Sequence, residues 1–147
     1  MISTEEVRQL REIVHILERK LGILEDSEMS CCGLTMAQCH ALVEIGRAKR
    51  ISLIDLANTI GLDTSTMSRT VNNLVTRKMV KRELDPRDRR YVTLQLTPVG
   101  DHHFHGIETG METYFLKIYE AIAEKDRQNV LESLAILVKA IDESDCC

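Results

Sequence analysis

Aromatic side chains are scarce in this chain: they make up 3% of its 147 residues, and tryptophan is absent. Proteins that bind RNA or single-stranded nucleic acid stack bases on aromatic rings, so the composition argues against both functions. No apolar run approaches the roughly 18 residues that a membrane-spanning helix needs. The first residues also lack the basic and apolar regions of a secretion signal. We therefore expect a cytoplasmic protein that does not enter a membrane.

Motifs of the common enzyme classes are also missing. The sequence has no glycine-rich phosphate loop, no suitably spaced pair of catalytic carboxylates, and no serine or cysteine in a recognisable nucleophile motif. Cys39 and His40 are neighbours in the sequence. Successive residues on a helix point about 100° apart, so these two side chains make a poor nucleophile–base pair. The sequence predicts a protein that is not an enzyme.

The chain has the length of one domain and a globular composition, with 44% hydrophobic and 29% charged residues. Its net charge is −4, but the charge is unevenly distributed. Residues 77–90 contain seven basic and three acidic side chains, a net charge of +4, which leaves −8 on the rest of the chain. Such asymmetry indicates one surface that attracts phosphate while the remainder is repelled.

The segment from Ser52 to Thr97 has the organisation of a winged helix-turn-helix. Two helical patterns, Ser52–Ile60 and Asp63–Lys78, are separated by Gly61–Leu62, and a charged hairpin, Val80–Leu96, follows. Ser52 is a predicted N-cap of the first helix, and Asp63 or Thr64 of the second. Two short helices, a turn containing glycine and a two-stranded ribbon together predict this motif.

The second of these helices has one apolar and one polar side. Small hydroxyl and amide groups with one arginine are suited to base edges and phosphates in a major groove. A merely solvated helix face is the alternative, and the adjacent basic hairpin favours the nucleic-acid interpretation. The apolar side contains Met67, Val71, Leu74 and Val75, and the polar side contains Ser65, Thr66, Ser68, Arg69, Asn72, Asn73 and Thr76.

The hairpin tip, residues 85–90, concentrates three arginines between the predicted strands 80–84 and 91–96. A charged hairpin is often only a protected sheet edge, but three arginines directly behind a polar helix favour DNA contact. Asp85 and Asp88 are predicted to brace the arginines, because an Asp–Arg pair can hold the guanidinium in place. An arginine held in this way can enter a narrow minor groove.

The two ends of the chain carry narrow apolar stripes outside this core. A first helix is predicted to end before a loop at 25–33, and two further helices follow Thr97, with a polar break at 124–126. Such stripes would be buried by a second subunit, and a two-fold dimer predicts a palindromic operator. The stripes contain Leu10, Val14, Leu17, Leu21 and Leu24 in the first helix and Val130, Leu134, Leu137 and Ile141 in the last.

Over nearly its whole length the chain resembles the MarR family of bacterial transcription regulators, most specifically at the tip, where Arg87 and Arg90 match the spaced arginines of the family's wing. The resemblance implies a mainly α fold with a small β-wing. It implies a single domain over 1–147, with a winged-helix core at 34–97 and dimerisation helices at 1–30 and 98–147. The expected partners are double-stranded DNA and a second copy of the chain. The expected DNA-binding residues are Thr64, Ser65, Thr66, Ser68, Arg69, Asn72, Arg77, Arg87, Arg89 and Arg90.

The five cysteines suggest what such a regulator senses. Adjacent cysteines do not suit disulfide geometry but can offer thiolates to a soft ion. Thr35, Gln38 and His40 are similar to the start of the second helix in zinc-responsive MarR regulators, where a carboxylate replaces Cys39. The sequence therefore predicts a soft metal or metalloid as effector rather than a permanent cofactor. The predicted ligands are Cys31, Cys32, Cys39, His40, Cys146 and Cys147.

The predicted function is a dimeric transcription regulator, a repressor, that an effector releases from its operator. Thiol oxidation to an intersubunit disulfide and binding of a small organic anion are alternative signals for the same fold. A burial role is the simplest alternative for Cys39, since cysteine often behaves as a small hydrophobe. A dimer that binds only other proteins is the rival from another functional class, and the arginine-rich tip argues against it.

Overall fold

The computed structural model describes residues 1–30 and 33–144. This part of the chain forms six helices and three strands. None of these helices is long and apolar enough to cross a membrane. In chain order the elements are α1 (Thr4–Ser30), α2 (Met36–Ala48), β1 (Arg50–Ser52), α3 (Leu53–Ile60), α4 (Thr64–Thr76), β2 (Val80–Leu84), β3 (Val92–Leu96), α5 (Pro98–Ala121) and α6 (Glu124–Asp142). The predicted class, mainly α with a small β-wing, is confirmed.

The chain divides into two compact units, Met1–Glu108 and Thr109–Cys147. The first unit contains α1, the helix-turn-helix, the sheet and the beginning of α5. The second contains the end of α5 and α6. The winged-helix core at 34–97 with dimerisation helices at 1–30 and 98–147 remains a prediction. Within the first unit, α1 packs against α2, and Ile107 of α5 packs against the core.

Helix α2 lies at the centre of the first unit. Its N-terminus has a capping box: Thr35 Oγ1 accepts a hydrogen bond from the Gln38 backbone N–H at 3.2 Å, and Gln38 Oε1 accepts one from the Thr35 backbone N–H at 3.1 Å. Ala41, Leu42 and Ile45 are fully buried. Through this face α2 contacts α3, α4, β1 and β3. It therefore connects the core to α3, α4, β1 and β3 of the winged helix.

The helix-turn-helix forms as the sequence predicts. The Ser52 side chain caps α3 by accepting the Asp55 backbone N–H at 3.0 Å. Gly61 ends α3 in the left-handed conformation with φ 81°, which glycine adopts without a Cβ penalty. Its N–H donates to the Ala57 carbonyl at 2.9 Å. Asp63 then caps α4, so α3 and α4 are separated by a turn that local sequence alone specifies.

The sheet has the order β1-β3-β2, with both pairs antiparallel. Ile51 is opposite Leu94, which is fully buried, and lies in the three-residue strand β1. The third strand begins at Val92 and not at Tyr91 as predicted. The reason is that the Tyr91 N–H donates to the Asp88 carbonyl at 3.0 Å and closes the turn at the tip.

Two predicted breaks lie elsewhere. Helix α1 continues to Ser30, although a loop was predicted from Glu25. The apolar pattern ends there, but the residues up to Ser30 include no glycine or proline to stop the helix. The break before α6 lies at residues 122–123 and not at 124–126. Acidic residues are favoured in the first turn of a helix by its dipole, and Glu124 and Asp126 occupy that turn of α6.

The predicted terminal stripes are mostly open in the single chain. Helix α6 has no buried residue. Of its predicted stripe, Val130 and Leu137 are half-buried, whereas Leu134 and Ile141 are exposed. Exposed apolar side chains at intervals of 3, 4 and 3 define what we call the α6 stripe: Leu131, Leu134, Val138 and Ile141. On α1 the exposed apolar side chains are Val7, Leu10, Ile13, Ile16 and Leu17.

Candidate nucleic-acid interface

The N-terminus of α4 is organised by Asp63. Its carboxylate accepts hydrogen bonds from the Thr66 backbone N–H at 3.1 Å and from the hydroxyls of Ser65 and Thr66. The hydrogen bond from Ser65, followed by those from Thr66, holds the pKa of Asp63 well below its usual range. Both hydroxyl hydrogens are therefore directed to Asp63. The remaining capacity of these two oxygens is as hydrogen-bond acceptors.

One side of α4 is buried and the other presents a row of polar groups. Met67, Val71 and Leu74 are fully buried, and Thr70 is buried beside them with its hydroxyl donating to the Thr66 carbonyl at 3.1 Å. Thr64 is exposed at the first turn, and Ser68 is half-buried beside the row. The row itself follows the helical repeat at intervals of 4, 3 and 4, and we call it the polar stripe: Ser65, Arg69, Asn72 and Thr76.

The polar stripe is connected to the hairpin by a side chain that sequence reasoning did not include among the site residues. Nη1 of Arg82, at the middle of β2, donates to Oδ1 of Asn72. The strand alternation of 80–84 could have suggested this contact, since it puts Arg82 on the same face as Val80 and Leu84 and opposite Lys81. Lys81 instead forms an ion pair with Glu83 at 2.7 Å.

At the hairpin tip, Asp88 holds the guanidinium of Arg90 as predicted. Asp88 Oδ1 accepts from Arg90 Nε at 3.0 Å and Oδ2 from Arg90 Nη2 at 2.8 Å, a two-pronged contact that fixes the plane of the guanidinium. The side-chain and backbone hydrogen bonds of Arg90 lower the pKa of Asp88. The Arg90 side chain is 87% exposed, so it is oriented and still accessible to a ligand.

Asp85 has a different role from the one predicted. Its Oδ1 accepts the backbone N–H of Arg87 at 2.8 Å, so it shapes the turn and does not hold a guanidinium. Arg87 and Arg89 are both exposed at the tip. Asp85 thus fixes the backbone of the tip, and Asp88 fixes the guanidinium of Arg90.

Arg77 is the predicted site residue that lies apart from the N-terminal half of α4. It is the C-cap of this helix, about 20 Å along the helix axis from Asp63 at 1.5 Å per residue. Its Nη1 would lie 3.6 Å from a Cβ placed on Gly33, so the side chain extends toward the segment before α2. Arg77 therefore lies apart from the predicted DNA-binding residues in the first half of α4.

The predicted metal ligands are mostly beyond what the structure describes: Cys31, Cys32, Cys146 and Cys147 lie outside the described residues. Cys39 and His40 follow one another on α2, where Cys39 is 4% exposed and His40 is exposed. Within 1–30 and 33–144, no three His, Cys, Asp or Glu side chains are grouped closely enough to hold a metal ion. The thiol site remains a prediction.

Comparisons with known proteins agree with this geometry. Residues 33–90, from the segment before α2 to the tip of the hairpin, match the model of the MarR family. The chain is 28% identical to the multiple antibiotic resistance protein MarR of Escherichia coli over 95 residues, which are 65% of this chain and 66% of that protein. It is 24% identical to the HTH-type transcriptional regulator YfiV of Bacillus subtilis over 144 residues, 98% of this chain and 89% of that one.

Solved structures share the fold over almost the entire chain. Streptococcus pneumoniae FabT in complex with DNA superposes with a TM-score of 0.83 at 18% identity, covering 93% of this chain and 98% of that one. A mutant of E. coli MarR complexed with operator DNA gives a TM-score of 0.77 at 23% identity, covering 94% and 99%. The fold is a winged helix, and its central segment is similar to the MarR family of transcription regulators.

Proposed function

We propose that this protein binds double-stranded DNA as a homodimer, with α4 in the major groove and the hairpin as a wing in the adjacent minor groove. The observation that carries the proposal is the structural link between the two elements. The polar stripe of α4 is tied to β2 through Asn72 and Arg82, and the tip beyond β2 presents Arg90 in a fixed orientation. The FabT and MarR structures that share this fold were solved with DNA.

Electrostatics support the same arrangement. The net charge of +4 on residues 77–90 covers the end of α4, β2 and the tip, while the rest of the chain is acidic. A polyanion would be attracted to this surface and repelled elsewhere. The uneven distribution of charge therefore orients the protein on DNA, even though the overall charge is −4.

The homodimer is proposed from the exposed apolar side chains of the terminal helices. The α6 stripe repeats at the spacing of a helix–helix contact, and exposed apolar residues also lie along α1. A patch of this kind is unusual on a monomer and typical of an interface. A two-fold dimer would present two α4 helices to half-sites about 34–36 Å apart, one turn of DNA.

We expect Leu134→Glu to shift the protein from dimer to monomer. Leu134 is 44% exposed in the single chain, so a charge there costs little within the protomer but would be desolvated in an interface. Sedimentation velocity at micromolar concentration measures the change. Ile54→Glu is the matched control, because Ile54 is 43% exposed and lies on α3, outside the terminal helices. If Leu134→Glu remains as dimeric as Ile54→Glu, the α6 stripe is not the interface.

The DNA-binding proposal is tested by fluorescence anisotropy on a labelled duplex from the region upstream of the protein's own gene. We expect tight binding to this duplex, weaker binding to a scrambled duplex, and an affinity that falls linearly with salt concentration on logarithmic axes. Absence of binding even at low salt would contradict the proposal. It would favour a dimer that interacts only with other proteins.

We further propose that the protein is a repressor and that a soft metal or metalloid ion held by thiolates releases it from DNA. The similarity of Thr35, Gln38 and His40 to zinc-responsive MarR regulators supports this, and Cys39 lies beside them on α2, the helix that packs against α4. An ion bound there could bias the position of the recognition helix. Couplings between two such sites are typically worth about 1–3 kcal/mol.

The same titration tests the effector. The protein is kept reduced by a phosphine, and one equivalent of arsenite or zinc is added to the complex with DNA. We expect affinity to fall about tenfold and to return when excess dithiol is added. Binding that is indifferent to both ions would rule out this effector. Oxidation to an intersubunit disulfide and binding of a small organic anion would then be tested in turn.

A further inference from the structure

The orientation of the Asn72 side-chain amide is set by Arg82. Nη1 of Arg82 donates a hydrogen bond to Oδ1 of Asn72. A guanidinium has donors only, so it pairs with the oxygen of the amide and not with its NH2 group. The oxygen is therefore turned toward Arg82 of β2. The two N–H donors lie on the other side of the planar amide.

This orientation limits which base Asn72 can read. Asparagine recognises adenine with both ends of its amide, which accepts from the N6 amino group and donates to N7. In this protein an adenine amino group approaching Oδ1 of Asn72 would also meet the N–H groups of Arg82, donor against donor. The NH2 group of Asn72 remains available for acceptors. Guanine presents two of them side by side, N7 and O6, whereas the N7 acceptor of adenine lies beside its amino donor.

We propose that Arg82 is a specificity-determining residue, which makes Asn72 a hydrogen-bond donor and so selects guanine over adenine at the base that Asn72 meets. The inference rests on the proposed function, since it requires α4 in the major groove. It assigns Arg82 a positioning role distinct from phosphate contact. Arg82 can hold this place because β2 is fixed in register by β3, where Leu94 is its partner.

The test is selection of duplexes from a pool with a randomised central region, using the full chain. Comparison with Asn72→Ala identifies the base pair that Asn72 reads, because its preference disappears in that variant. We expect a G·C pair there for the wild type. For Arg82→Met, which keeps the length of the side chain and removes its donors, we expect the ratio of A·T to G·C pairs at this position to rise by about tenfold or more.

Lys81→Met is the matched control. It also removes a cation from β2, but the Lys81 ammonium pairs with Glu83. We therefore expect its base preferences to equal those of the wild type, whereas a general effect of lost charge would change both variants alike. Circular dichroism verifies that each variant is folded. The wild-type selection by itself still decides the inference if Arg82→Met does not fold.

The outcomes separate this inference from the function on which it rests. A wild type that enriches no motif overturns sequence-specific DNA binding, and the inference with it. A wild type that enriches a motif but selects an A·T pair at the Asn72 position overturns the inference alone. So does an Asn72→Ala variant with unchanged preferences, or an Arg82→Met variant that keeps the wild-type preference.

Discussion

Gly100→Ala should destabilise the protein by about 3 kcal/mol, at the upper end of typical overpacking effects. A Cβ at position 100 would lie 1.9 Å from the carbonyl oxygen of Met79 and 2.8 Å from its carbonyl carbon. The obstacle is backbone, which cannot rotate away as a side chain would. That carbonyl also accepts the Thr97 backbone N–H at 3.0 Å. Helix α5 would have to move away from the start of β2, breaking contacts on both sides of the glycine.

Gly106→Ala is the control for this prediction. It lies in the same helix, and a Cβ there would meet no atom within 4 Å. Alanine is the better helix former by about 1 kcal/mol, so this variant should be as stable as the wild type or more stable. Urea unfolding followed by circular dichroism, at one protein concentration for all three proteins, measures the difference. Equal stabilities of the two variants would show that α5 does not approach Met79 as described.

Arg90→Ala should weaken operator binding at least tenfold, which is about 1.4 kcal/mol, and leave the fold intact. The side chain is exposed, so its removal costs little within the protein. Its guanidinium is held in one orientation by Asp88, which reduces the entropy lost when it enters a minor groove. Anisotropy on the operator measures the effect. Lys125→Ala, which removes one cation from the first turn of α6, should bind as the wild type does.

Asp88→Asn distinguishes orientation from charge at the same place. Removing this carboxylate makes the tip more positive, so charge alone predicts tighter binding. If the role of Asp88 is to hold Arg90, the variant should bind the operator more weakly in spite of its added positive charge. Tighter binding by Asp88→Asn, or unchanged affinity of Arg90→Ala, would contradict the role given to the wing.

Much of the winged helix follows from local sequence. The capping residues Thr35, Ser52 and Asp63 act on backbone groups three residues away, so their effect does not depend on the rest of the fold. Gly61 likewise ends α3 through its own conformational freedom. The apolar period of α4 then identified which side of that helix is buried. All of these interactions join residues that are close together in the sequence, and such interactions can be predicted from the sequence alone.

Prediction from sequence patterns was less successful for the terminal helices α1 and α6. The polar residues after Glu25 predicted a loop, but they include no glycine or proline to end the helix, and α1 continues to Ser30. On α6 the sequence offered several overlapping apolar stripes. Burial within the folded chain distinguishes the half-buried Val130 and Leu137 from the exposed α6 stripe. Periodicity alone could not make that distinction, because both sets repeat at helical intervals.

The sequence by itself determined the class of this protein: the caps, the glycine turn and the arginine-rich tip define a winged helix-turn-helix. Only the tertiary structure decided which groups that motif presents. Arg82 and Asn72 are separated by ten positions and meet because β2 returns beside α4. Gly100 is required because the start of α5 passes against the Met79 backbone. Both contacts depend on how separate elements pack, and that packing cannot be read from the spacing of residues along the chain.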